Sequence, residues 1–189
     1  MNLLVHICCG VCFAGILEDL KKRDFSFTGF FYNPNIHPLI EFRRRLKTLK
    51  VLLEGEKIQV IYDENYGLKG FLREVDWEGK RCSDCYYLRL RRTAEVAKDR
   101  GLSAFTTTLL ASPHQEHLVI RRIGEKVGGE AGIPFAYFNF RSLHKRSLQL
   151  AKKKGLYHQK YCGCIFSEYE RYKNTNLHLY CGPGGRQAK

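Results

Sequence analysis

Apolar and polar positions along the chain alternate between short continuous runs and longer stretches with helical spacing. Leu3 to Cys8 is a β-rich run, and Phe13 to Lys22 then repeats its apolar residues with the period of a helix. Phe27 to Tyr32 reads as a second strand, stopped by "NPNIHP", whose prolines and asparagines mark a loop. Glu41 to Leu53 is a basic helix, and "KIQVIYD" is a third strand. "RCSDCYYLRLRRTAEVAKDRG" predicts a helix that begins near Ser83 and is stopped by Gly101. "AFTTTLL" is a fourth, β-branched strand, and "SPHQEHLVIRRIGEKVGG" opens with Ser-Pro and closes with Gly-Gly, as a helix should. "IPFAYFNF" is a fifth strand, and the remainder reads as helices and loops. Repeated strand–helix alternation predicts an α/β fold: a Rossmann-like parallel sheet of about five strands with helices on both faces. One catalytic domain is expected over residues 1–180, with the glycine-rich 181–189 "CGPGGRQAK" a disordered tail. In such sheets sites form beyond the carboxyl ends of the strands, which is where Cys8, Cys9 and Cys12 fall.

Charge changes the picture next. The chain of 189 residues carries 32 Lys+Arg against 19 Asp+Glu, a net +13, which favours a polyanionic partner, nucleic acid first, or else a solvated basic surface. No stretch approaches the roughly 18–20 unbroken apolar residues of a membrane span, so no membrane partner is expected. The first apolar run has no basic segment before it, so it does not read as a signal peptide, and a cytoplasmic protein is expected. In that reducing compartment the eight cysteines are expected to be free of disulfides.

Seven of them cluster: Cys8, Cys9 and Cys12; Cys82 and Cys85; Cys162 and Cys164. Cys181 stands alone and reads as non-functional. Clustered thiols in a reducing compartment point to metal ligands or redox groups. Cys82, Cys85, Cys162 and Cys164 would satisfy a tetrahedral zinc but leave the first cluster unexplained. A dithiol pair at Cys82 and Cys85, with Lys80 and Arg81 beside it, accounts for two thiols of seven. An iron–sulfur cluster needs four thiolates from any segments, although the compact ferredoxin run is missing. A radical-SAM C-x3-C-x2-C is missing too, because Gly15 stands where its third cysteine belongs. Neither a P-loop nor a GxGxxG follows a strand, and the ATP-pyrophosphatase loop after strand one is replaced by cysteines. Any one cysteine could be a small buried apolar group, but three paired coincidences could not.

"HICCGVC", "FFYNPNIHP", "EFRRR", "KRCSDCYYLRLRRTA", "FTTTLLASPHQ" and "GLYHQKYCGCIFS", in that order, resemble the epoxyqueuosine reductase QueH family over most of the chain. Gly10-Val11 replaces the Ala-Pro usual in the first motif and spares every thiol, while Asn139 stands where many members have Asp. The resemblance implies reductive deoxygenation of epoxyqueuosine, at the wobble position of tRNA, to queuosine, the last step of that nucleoside's biosynthesis. It implies a [4Fe–4S] cluster beside a mononuclear iron, both held by Cys8, Cys9, Cys12, Cys82, Cys85, Cys162 and Cys164, with the partition open; no cobalamin is expected. An external electron donor is required. Tyr161, His158 and His6 are the candidate proton donors. Phosphate contacts are expected from Arg43, Arg44 and Arg45, from Arg89, Arg91 and Arg92, or from Lys152 to Lys154, each of which is equally a solvated helix face. Tyr86, Tyr87 and Tyr161 could stack on an everted base, or serve as core, and His37 could line the site or cap its loop. The rival readings are a zinc-stabilised RNA-binding module and an iron–sulfur tRNA thiolation enzyme that uses ATP.

Overall fold

The computed structural model describes residues 1–175 apart from 24 and 77, so Cys181 and the expected tail 181–189 lie outside the described residues. β1 (Asn2–His6) is the hub of the sheet. Its residues Leu3 to His6 are completely buried, as a strand covered on both faces must be. It pairs in parallel with β2 (Ser26–Phe31) on one side and β4 (Ala104–Thr107) on the other. β3 (Val60–Tyr62) closes the far edge beside β2, giving the order β3-β2-β1-β4.

The sheet has four strands where five were expected. The fifth segment reaches β4 but pairs only once, between Phe105 and Phe135, through Phe105 N–H to Pro134 O at 3.1 Å and Ala136 N–H to Phe105 O at 2.8 Å. Pro134 has no N–H to extend the ladder. Phe135 instead packs its ring on Phe105, with centroids 5.2 Å apart, and into the space that glycine leaves at position 124. The chain then tightens into a single 3-10 turn, Phe140–Leu143.

Helices flank the sheet in two groups. α1 (Gly10–Lys22) packs against α2 (Leu39–Leu52) and α6 (His144–Lys153), and α4 (Arg81–Asp99) packs against α5 (His117–Ala131). The short α3 (Leu68–Glu74) precedes α4, and α7 (Ile165–Tyr172) follows the last cysteine pair. α4 starts at Arg81, slightly before the Ser83 expected, so Cys82 and Cys85 sit one turn apart on one helix face. Gly15 has a structural reason: its N–H donates to Ser147 Oγ at 3.1 Å, and a Cβ there would run into that hydroxyl. The missing third cysteine of a radical-SAM motif is thus the point where α1 and α6 come closest. No helix among the described residues is long and apolar enough to cross a membrane.

The strand order reverses at β1. The chain leaves β1 toward β2, but leaves β4 away from it, so the two adjacent carboxyl ends open a crevice between diverging connections.

A cysteine-lined cavity at the carboxyl edge of the sheet

Beyond β1 the chain runs straight into α1, and Cys9 caps that helix, its Sγ accepting from Cys12 N–H at 3.3 Å. The sulfurs of Cys8, Cys9 and Cys12 all lie within 4.8 Å of one another. The 3-10 turn that follows β4 contributes Thr108, whose hydroxyl accepts from Cys8 N–H at 2.9 Å and donates to Cys8 Sγ at 3.1 Å. The second pair comes from the first turn of α4, and the third from the loop before α7. All seven thiols, from three segments far apart in sequence, line one cavity of about 710 Å³. All seven are unpaired thiols, with Cys8, Cys85 and Cys164 buried and Cys82 and Cys162 exposed.

The third arm is held by a buried network. Arg45 donates through its guanidinium to Cys162 O at 2.8 Å and Tyr161 O at 3.0 Å, and through Nε to Glu41 Oε1 at 2.6 Å. Glu41 Oε2 accepts from Tyr157 Oη at 2.6 Å and Gln159 Nε2 at 3.1 Å. Gly163 has φ +109°, and a Cβ there would stand 3.0 Å from Arg45 Cζ, so the chain bends over the guanidinium as only glycine allows. His37 N–H fastens the same bend from the other side, donating to Gly163 O at 2.8 Å.

The thiols share charge unequally. Hydrogen bonds from Cys12 and Cys9, then the Arg89 charge and the Thr108 hydroxyl, hold Cys8 well below its ordinary range against burial. Cys9 is favoured by its bond to Cys12, yet its bond to Cys8 and burial push it up to about 12. The hydrogen bond to Cys8 raises Cys12 furthest. In the third arm hydrogen bonding with Cys164 and then Ser167 brings Cys162 down to about 5 against burial, while Cys164 is raised by its bond to Cys162. Burial raises Cys82, and lifts Cys85 to about 11. The cavity is thus a set of soft sulfur donors with two buried cations, Arg45 and Arg89, built into its wall. Arg89 Nε is buried there without a hydrogen-bond partner. That donor set and that spare positive charge suit a thiolate-bound metal, since every thiolate a metal recruits adds negative charge.

The cavity wall also takes in Tyr161, His158, Tyr86, Arg45 and Arg89. Burial raises the Tyr161 phenol, and burial with the Arg45 charge lowers His158. Tyr86 donates to Gln115 Oε1 at 2.9 Å. His6, in contrast, is fully buried in the sheet and is not on the wall. Its Nε2 lies 3.0 Å from Tyr32 O, which can only accept, so Nε2 carries the proton and Nδ1 accepts from Thr107 Oγ1 at 2.7 Å. Burial, aided by Arg89, lowers its pKa to about 3, and the ring is a neutral brace between strands. His37 is buried beside Tyr66 and Phe71 rather than on the wall. Tyr87 turns outward to Glu130 at 3.0 Å, and Asn139 accepts from Arg141 N–H as a turn cap. Arg43, Arg44, Arg91, Arg92 and Lys152 to Lys154 are exposed. Sequence reasoning passed over Glu41 and Gln159; the only trace of the first was its i,i+4 spacing to Arg45.

The epoxyqueuosine reductase QueH family matches residues 3–170. The chain belongs to that family. It is 34% identical over 176 residues to the epoxyqueuosine reductase QueH of Dehalococcoides mccartyi, covering 93% of this chain and 97% of that protein. To the protein of the same name from Thermotoga maritima it is 34% identical over 180 residues, covering 90% of this chain and 92% of the other. The matched span takes in all three cysteine arms of this QueH-family chain and the two buried cavity arginines, Arg45 and Arg89.

Proposed function

We propose that this chain is an epoxyqueuosine reductase, which converts epoxyqueuosine in tRNA to queuosine in the cytoplasm. The observation that supports this most is the convergence of seven thiols on one cavity at the sheet's switch point. The net reaction breaks both C–O bonds of the epoxide and forms one C=C bond, consuming two electrons and two protons and releasing water. Cys8, Cys9, Cys12, Cys82, Cys85, Cys162 and Cys164 are the proposed ligands of a [4Fe–4S] cluster and a second iron. When bound, such iron supplies electrons from an external donor and an electrophilic position for oxygen.

The chain's own residues do the rest. The cavity wall, with its buried Phe71, Leu109 and Val11 beside the thiols, receives a nucleoside and limits water. Tyr161 and His158 stand on the same wall and are the proposed sources of the two protons. His6 is not, because both its ring nitrogens are committed inside the sheet.

The basic runs differ in what they leave for phosphate. Arg91 is paired with Glu74 at 3.2 Å and Arg92 with Glu95 at 3.2 Å, so α4 largely neutralises itself. Among the described residues Arg43 and Arg44 have no carboxylate partner, and Arg44 stacks over Tyr157, 5.4 Å from its centroid. Tyr157 is itself on the cavity wall, followed by the exposed Lys160. We therefore assign tRNA backbone contacts to the outer face of α2 and the 157–160 loop.

The test is anaerobic reconstitution, with iron and sulfide counts, Mössbauer spectroscopy, and nucleoside analysis of tRNA carrying epoxyqueuosine. Sulfide-containing iron and conversion to queuosine are expected. A single zinc with no sulfide, and tRNA bound but unchanged, would return the zinc-stabilised RNA-binding reading instead.

A further inference from the structure

Two arginines are buried in the cavity wall, and only one has a carboxylate. Arg45 lies against Glu41 at 2.6 Å. Arg89, 4% exposed, lies one turn beyond Cys85 on α4. Its Nη2 donates to Asn33 Oδ1 at 2.8 Å. That amide is oriented unambiguously, because Asn33 Nδ2 donates to Ile7 O at 2.9 Å. Nη1 lies 4.0 Å from Cys85 Sγ, and Nε has no partner. Among the described residues no carboxylate pairs with this guanidinium, and Asn33 brings none. A charge taken out of water without a counterion costs several kcal/mol, so its compensation must come from the cavity. The cavity's two carboxylates, Glu116 and Glu170, form no ion pair with Arg89, Glu170 being held by Arg81 at 2.8 Å. The groups whose negative charge answers Arg89 are thiolates: Cys85 on the same helix, and Cys8 at the end of β1, which the Arg89 charge favours.

We propose that Arg89 is the fixed countercation of the thiolate cavity and a positioning residue that sets the reduction potential of the metal centre held there. The inference rests on the iron reading above. Reduction adds an electron to a centre already surrounded by thiolates. A buried cation stabilises that more negative state and raises the potential, and low dielectric makes the effect larger than a surface charge could. Arginine suits the place because it stays charged however deeply it is buried, which lysine does not. Its hydrogen bond to Asn33 ties the cation to the loop after β2, so arms one and two keep a constant distance from it.

The experiment is a mediated potentiometric titration of anaerobically reconstituted full-length protein, followed by visible absorption and EPR. Arg89→Met should make the centre at least tenfold harder to reduce, a fall of about 59 mV for a one-electron couple. Asn33→Ala, which removes the neutral partner and keeps the charge, should move the equilibrium less than threefold. A merely structural Arg89 would loosen metal retention equally in Arg89→Met and Asn33→Ala and leave the potential where it was, and that result overturns the proposal. Should Arg89→Met fail to fold, Asn33→Asp keeps the arginine and sets a negative charge on it, and the same tenfold loss is expected; no loss there also overturns it. A wild-type protein with no iron and no reversible couple removes the iron reading itself. A normal wild-type couple that Arg89→Met leaves unchanged removes only this one.

Discussion

Removing the Glu41 carboxylate tests the architecture of the third cysteine arm. In Glu41→Ala the Arg45 guanidinium stays buried, with its side chain only 7% exposed, and loses the ion pair made at 2.6 Å. The same truncation takes an acceptor from Tyr157 Oη and from Gln159 Nε2. Breaking one side of a buried ion pair costs about 3–5 kcal/mol, because the surviving charge stays out of water without a partner. Glu41→Gln keeps an oxygen for Arg45 Nε and loses the charge, so its cost should be smaller, about 1.5–3 kcal/mol by the scale of charged hydrogen bonds. Replacing both partners, in Glu41→Leu with Arg45→Met, should not restore full stability, because Cys162 O and Tyr161 O then lose their donors, at about 1–3 kcal/mol each. The assay is urea unfolding of the reduced, metal-free chain at pH 7, followed by far-UV circular dichroism. A Glu41→Ala loss below about 1 kcal/mol would refute the reasoning, since an uncompensated buried guanidinium cannot be that cheap.

Three further outcomes are expected. Gly163→Ala forces a side chain into a backbone with φ +109° and against the Arg45 guanidinium, so it should cost about 1–3 kcal/mol in the same urea assay and, on the iron reading proposed above, lower bound iron per chain. Arg43→Gln with Arg44→Gln should weaken tRNA binding and flatten its salt dependence in a filter-binding titration, by about one unit of log–log slope per phosphate lost, whereas Arg91→Gln with Arg92→Gln should change it little; equal losses would move the tRNA face to α4. Burial lowers His37 from 6.5 to about 4, so folding favours its neutral form: stability is fully present above pH 6.5 and is lost as pH falls from there through 4. His37→Gln should flatten that slope, measured by urea unfolding at half-unit pH steps, and an unchanged slope would show that other groups carry it.

The order of strands and helices was legible because burial imposes a period. β1 is covered on both faces, so Leu3 to Ile7 had to be an unbroken apolar run apart from His6, whose two ring nitrogens bond inside the sheet. The fifth strand misled because its aromatic run looks like a strand, while Pro134 and the pull of Phe135 into the gap at Gly124 end the pairing after one bridge. The cysteines were legible as chemistry, since paired thiols have few other reasons to recur, and their place after β1 followed from the rule that α/β sites gather at strand ends.

What local sequence determined about this protein was therefore its periodic elements, its charge and its donor atoms, each set by neighbours a few residues away. Only the tertiary structure decided which buried charges have partners. Arg45 and Arg89 are alike in the sequence, each in a basic run on a helix, and both are drawn inside by the helical period. One meets Glu41 a turn earlier on its own helix; the other meets an amide from position 33 and the sulfur of Cys85. Electrostatic energy depends on distance through space and on the water excluded between charges, and neither quantity is written in the spacing of residues along a chain.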